Sequence, residues 1–159
     1  MVTINGVDHF ALSVGDLEES IAWYNRVFGF QVFDRSEIPG TGIKVCHMAG
    51  HGLILEIFNP PGGPNLPPER MVPDQDLQTN GNKHISFGVP DGDKAIEELK
   101  AHGVEIVMIA KVDNTYGIFI HDNTGNLIEI FEEKGPWYED IKKMLYKTGC
   151  RPFKCSRRV

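Results

Sequence analysis

A chain of 159 residues is long enough for one domain or two small packed modules, and its 41% hydrophobic content is ordinary for a protein with a real core. A net charge of −6 and a pI near 5.5 argue against nucleic acid or an anionic membrane as the main partner. No apolar run approaches the ~20 residues of a membrane span. The start, Met1 to Gly6, lacks the basic and then apolar pattern of a signal peptide. The three cysteines, Cys46, Cys150 and Cys155, form no CxxC pair and fit reduced thiols, so the expected location is cytoplasmic.

In chain order, Val7 to Val14 reads as a strand with Phe10, Leu12 and Val14 on one face and His9, Ala11 and Ser13 on the other. The bulky face should pack under a helix, and the face of small residues leaves room for a ligand. A helix follows, opened by Asp16 and Glu19, carrying Leu17, Ile21, Tyr24 and Phe28 at helical spacing and stopped by Gly29. Strands are expected at Phe30 to Phe33, Ile43 to Met48 and Leu53 to Phe58. The next segment, 59–82, is dense in Pro and Gly, carries no periodic pattern, and reads as a linker that is either an inert connector or an ordered loop over a pocket.

The same order then repeats. Lys83 to Val89 is a strand whose apolar face is Ile85, Phe87 and Val89, with His84, Ser86 and Gly88 opposite. A helix capped by Asp91 or Asp93 carries Ile96 and Leu99 and stops at Gly103. Strands are expected at Val104 to Val107, Gly117 to His121 and Asn126 to Phe131, the last two joined by a turn at Asp122-Asn123-Thr124-Gly125. Each unit is therefore βαβββ. The expected organisation is a first module over 1–58, the linker over 59–82, a second module over 83–133, and a C-terminal helix with a basic tail over 134–159. Trp137, Ile141 and Leu145 share one side of that helix, and Arg151, Lys154, Arg157 and Arg158 make the end basic.

The repeat carries one chemical pattern twice. His9 and Glu56 are 47 residues apart, His84 and Glu129 45 apart, and each Glu interrupts an apolar strand, Leu-Ile-Leu-Glu-Ile-Phe and Leu-Ile-Glu-Ile-Phe. A carboxylate in such a setting costs several kcal/mol if left unpaired. Two imidazoles and two carboxylates make a formally neutral site around a 2+ ion, with donors that suit Zn, Ni, Co, Mn or Fe(II).

The two His strands, the helix end Trp23-Tyr24-Asn25-Arg26-Val27-Phe28-Gly29-Phe30, and the closing run from Tyr116 through Asp122-Asn123-Thr124-Gly125 to Glu129 resemble the vicinal oxygen chelate superfamily. This group includes glyoxalase I, methylmalonyl-CoA epimerase, extradiol dioxygenases, fosfomycin-resistance enzymes and bleomycin-resistance proteins. The resemblance implies an α+β fold of two βαβββ modules forming a glyoxalase-like cup. It implies one divalent metal ion per site, held by His9, Glu56, His84 and Glu129.

The implied function is a metal-dependent isomerase or lyase of the glyoxalase I and epimerase type. It would remove a proton alpha to a metal-chelated carbonyl and stabilise an enediolate, with Glu129 as first choice for the base and Glu56 as second. The expected partners are a small substrate with adjacent oxygens and a second copy in a homodimer. An Fe(II) extradiol-type dioxygenase using His9, His84 and Glu129 is an alternative, which the fourth ligand Glu56 counts against. A metal-free, bleomycin-resistance-like binding protein is another. Glu56 stands where epimerases of this kind usually carry Gln. Ser13 stands where glutathione-dependent enzymes often carry Arg. His47 and Phe58 are weak candidates for the pocket and Tyr116 for substrate contact. Lys44, Lys83 and Arg70 are rim charges that could anchor a phosphate.

Overall fold

The computed structural model of the chain describes residues 2–4, 6–112 and 114–147. Cys150, Cys155 and the basic end with Arg151, Lys154, Arg157 and Arg158 lie outside the described residues. In β1 (His9–Ser13) the expected alternation holds: Leu12 is buried, while His9, Ala11 and Ser13 are exposed. α1 (Leu17–Phe28) begins where the Asp16 carboxylate accepts from the Glu19 N–H at 3.0 Å. It ends at Gly29, whose φ of 73° is a left-handed conformation that a Cβ would strain. Leu17, Trp23 and Tyr24 are buried on its inner face with Cys46, Met48, Leu55 and Ile57 of the sheet. Each such Leu or Ile contributes on the order of 1.5–3 kcal/mol by leaving water.

β2 (Gln31–Glu37), β3 (Lys44–Gly50) and β4 (Leu53–Asn59) complete the first sheet, in the order β1-β4-β3-β2. β1 runs parallel to β4, and the other pairings are antiparallel. Beyond a loop that holds the short α2 (Pro73–Asp76), the plan repeats. β5 (Ile85–Val89), α3 (Gly92–Ala101), β6 (Ile106–Val112), β7 (Thr115–His121) and β8 (Leu127–Glu132) give a second sheet in the order β5-β8-β7-β6. Even the irregularity recurs. The pairing of the strand after each long helix shifts once, between Val32 and Asp34 and between Ile106 and Met108. Of the two capping candidates, Asp91 serves, accepting from the Lys94 N–H at 3.0 Å. Two four-stranded mixed sheets with helices give the α+β class expected.

The halves share one core. Phe28 and Phe30 pack on Phe87, with ring centroids 5.1 and 6.0 Å apart. The turn after β7 is also a clasp. Asp122 accepts from the Thr124 and Asn126 N–H groups at 2.9 and 2.8 Å, and from the buried Tyr24 hydroxyl at 3.0 Å. Asn126 Nδ2 donates to the Ser13 carbonyl at 3.1 Å. Burial, with the Asp122 charge beside it, holds the Tyr24 phenol well above its ordinary pKa, so it remains a donor.

Of the two readings of the 59–82 segment, the structure shows an ordered loop. A 3-10 turn (Pro68–Met71) precedes α2. Asp76 is 1% exposed, with Arg70 Nε at 2.5 Å and Lys83 Nζ at 3.6 Å. Proline at the first turn of a helix costs nothing, and the buried ion pair supplies the tertiary restraint that local sequence does not display. Arg70 and Lys83 are therefore engaged inside the loop. The C-terminal helix, α4 (Pro136–Lys147), comes directly after the second sheet.

Candidate metal centre

The sheet register sets the site. In β4, Leu55 and Ile57 are fully buried toward the helix side, which turns Glu56 to the opposite, open face. Ala11 pairs with Glu56, so His9 lies two residues along the same face. In the second unit Ser86 pairs with Glu129, and His84 again lies two residues back. The offset is identical in both units. His9 Nε2 is 3.3 Å from Glu56 Oε2, and His84 Nε2 is 3.4 Å from Glu129 Oε2.

These distances bear on whether an ion fits. They are longer than the about 2.7–2.9 Å of a charge-assisted hydrogen bond. Two donors each ~2.1 Å from a common ion, at a roughly tetrahedral angle, stand about 3.4 Å apart. The donor types and their spacing within each pair thus fit a divalent ion. The ligand-side restraint fits as well. Asp8 Oδ2 accepts from His9 Nδ1 at 2.8 Å, leaving Nε2 directed at Glu56, the arrangement that commonly orients metal-binding imidazoles. The hydrogen bond to Asp8 holds the His9 pKa above its ordinary value, against a smaller opposing effect of desolvation and with help from Glu56. His84 is instead fixed by the edge of Phe119, 5.3 Å between ring centroids.

The two pairs do not meet as a quartet. Among the described residues no group of three or more His, Cys, Asp or Glu is arranged to hold a metal ion. The candidate ligands do not share one hollow. His9 lines a cavity of about 600 Å³ with Phe28, Phe30 and Phe87, Glu129 another of about 650 Å³ with Phe131 and Trp137, and His84 a third of about 170 Å³ with Phe10 and Tyr24.

One neighbour was undervalued by sequence reasoning. His47 Nε2 stands 3.3 Å from Glu56 Oε1, and its Nδ1 is 3.4 Å from Asp34 Oδ2. Glu56 thus sits between two imidazoles, each backed by an aspartate. The structure shows why: His51 and Gly52 have φ of 51° and 75°, the positive pair of a tight two-residue hairpin turn. A turn placed there forces His47 opposite Glu56. The corresponding position across from Glu129 is Phe119. Two other imidazoles have backbone partners elsewhere, His51 Nε2 at Phe28 O and His121 Nε2 at Met71 O, and His102 caps α3 through its backbone N–H. Tyr116 lies under the Lys111 and Lys134 ammonium groups, in contact with the core.

Known proteins share this plan. The model of the Glyoxalase/Bleomycin resistance protein/Dioxygenase superfamily matches residues 6–130. A lactoylglutathione lyase of Neisseria meningitidis is 31% identical over 134 residues, 79% of this chain and 89% of that protein. A glyoxalase family protein from Enterococcus faecalis superposes with a TM-score of 0.69 at 21% identity, covering 80% of this chain and 98% of that one. The fosfomycin resistance protein FosX from Listeria monocytogenes, solved with Mn(II) and sulfate, superposes with a TM-score of 0.60 at 22% identity, covering 86% and 98%. The chain belongs to the glyoxalase, bleomycin resistance protein and dioxygenase superfamily.

Proposed function

We propose that this chain is a divalent-metal-dependent isomerase or lyase acting on a small substrate with adjacent oxygens. The observation that carries the reading is the His and Glu pair set at the same register offset in both units, with ligand-like spacing in each. His9, Glu56, His84 and Glu129 are the proposed ligands. The ion would be Zn, Ni, Co, Mn or Fe(II), and it would act as a Lewis acid on the substrate carbonyl. His9, His84 and Glu129 line separate hollows of one chain, so the full set is proposed to assemble between two copies. The first unit of one copy would face the second unit of its partner.

Within that site the two carboxylates differ. Glu56 is flanked on both oxygens, by His9 and His47, and serves as the fixed ligand. Glu129 has His84 on one oxygen, and its other, Oε1, lies over Gly117, where a Cβ would stand only 2.9 Å from it. Glu129 is therefore the base that takes the proton from the carbon next to the chelated carbonyl and returns it to the adjacent carbon.

The test is metal content by mass spectrometry on the wild type, Glu56→Ala and His84→Ala. The expected result is about one ion per chain, lost in both variants. A wild type that retains none of the five metals after reconstitution would replace this reading with metal-free small-molecule binding.

A further inference from the structure

The superfamily match ends at residue 130, and the residues beyond it shape the site from outside the shared fold. β8 runs to Glu132, the chain turns at Gly135, and α4 opens at Pro136. This turn brings Trp137 edge-on to Phe131, 6.0 Å between ring centroids, on the face that carries Glu129. Trp137, Pro136, Phe131 and Ala110 then wall the 650 Å³ cavity into which Glu129 projects. The volume lies within the range of small-molecule sites. Trp137 remains 64% exposed, an unusual fate for a large aromatic side chain. Its neighbour Lys134 adds no free charge, since its ammonium is bound to Glu132 at 2.6 Å. Gly117 keeps the floor bare: a Cβ there would stand 2.9 Å from Glu129 Oε1.

We infer that Trp137 is a specificity-determining wall, and that the substrate carries an apolar planar or branched group beside its chelating oxygens. The inference rests on Glu129 being at the reacting centre, as proposed above. A flat apolar group on Trp137 removes exposed aromatic surface from water and stacks on it, while a short polar substituent gains neither.

The test uses two bidentate probes that differ only at this group, benzohydroxamate and acetohydroxamate. They are titrated into the full chain, Zn-reconstituted and metal-free, by tryptophan emission and calorimetry. Trp23, the only other tryptophan, is buried, and Trp137→Phe supplies its baseline. In the Zn form the phenyl probe should bind about tenfold more tightly and quench Trp137. That ratio should fall toward one in Trp137→Ala and largely persist in Trp137→Phe, with melting curves checking that both fold. Equal affinities in a wild type that holds its ion, or an unchanged ratio in Trp137→Ala, overturn the inference and leave the metal reading standing. Quenching of Trp137 by benzohydroxamate in a protein that holds no ion supports the wall and removes the metal. No ion and no quenching overturn both.

Discussion

Two residue pairs show what the sequence displays and what it conceals. His9 is recognisable as a ligand candidate because it recurs as His84, but its aspartate partner is visible only as a neighbour, Asp8. The structure gives that neighbour a bond at 2.8 Å. His47 lies between Asp34 and Glu56 at 3.4 and 3.3 Å, contacts of charge and not hydrogen bonds at Nδ1. Orienting partners of metal-binding groups typically carry about 10–100-fold in affinity. Asp8→Asn and His47→Phe should each weaken metal binding by about that range, measured by competition with a chromophoric chelator. Binding unchanged in both variants would show that Glu56 and His9 need no support. His47 was legible only to a reader who had placed the turn at His51-Gly52, because register, not residue type, brings it to Glu56.

Glu132 illustrates a charge whose role is structural. It is 3% exposed and accepts from the Gly92 and Tyr116 N–H groups and from Lys134. Burial pushes its pKa up, but those donors outweigh it and hold the carboxyl below its ordinary value. A carboxylate depressed in the folded state contributes stability that is fully present above its unfolded pKa and is lost as pH falls through the folded one. Glu132→Gln should therefore lower stability by about 1–3 kcal/mol at pH 7. The deficit should shrink below about pH 4, as the wild-type carboxyl becomes protonated. Denaturant melts at pH 7 and at pH 3 check it, and a deficit constant across that range would sink the assignment.

At the scale of elements, local signals were strong wherever the period of hydrophobicity was unbroken. α1, α3 and six of the strands lie within one or two residues of where alternation and capping residues put them, while β2 and β6 run on to Glu37 and Val112, four and five residues past the ends read from sequence. The 59–82 segment behaved differently. Its prolines erase periodicity, and its order comes from Asp76 meeting Arg70 and Lys83, contacts made after the loop has closed. α4 is the converse case. Trp137, Ile141 and Leu145 mark an amphipathic helix, yet nothing local says that its first residues pack against Phe131 and border Glu129.

At the scale of the whole molecule, the separate hollows lined by His9, His84 and Glu129 make assembly the decisive question. If the site spans two copies, mixing His9→Ala with His84→Ala protein should restore metal binding. A hybrid dimer then has one site with both substitutions and one with neither. Metal content after subunit exchange, measured by mass spectrometry, should rise from near zero in each parent to about half an ion per chain in the hybrid. No recovery in a verified hybrid dimer would place all four ligands within one chain.

By itself the sequence determined the repeat, the α+β class, the strand faces and the matching positions of the two His and two Glu residues in that repeat. Those properties follow from side-chain period and from the cost of a carboxylate in an apolar strand, both local. Only the tertiary structure decided that His47 touches Glu56, that Arg70 and Lys83 turn inward to Asp76, and that Trp137 reaches the Glu129 cavity. Each of these joins residues brought together by strand register, loop closure or helix docking, and contacts of that kind are fixed by packing across the whole chain.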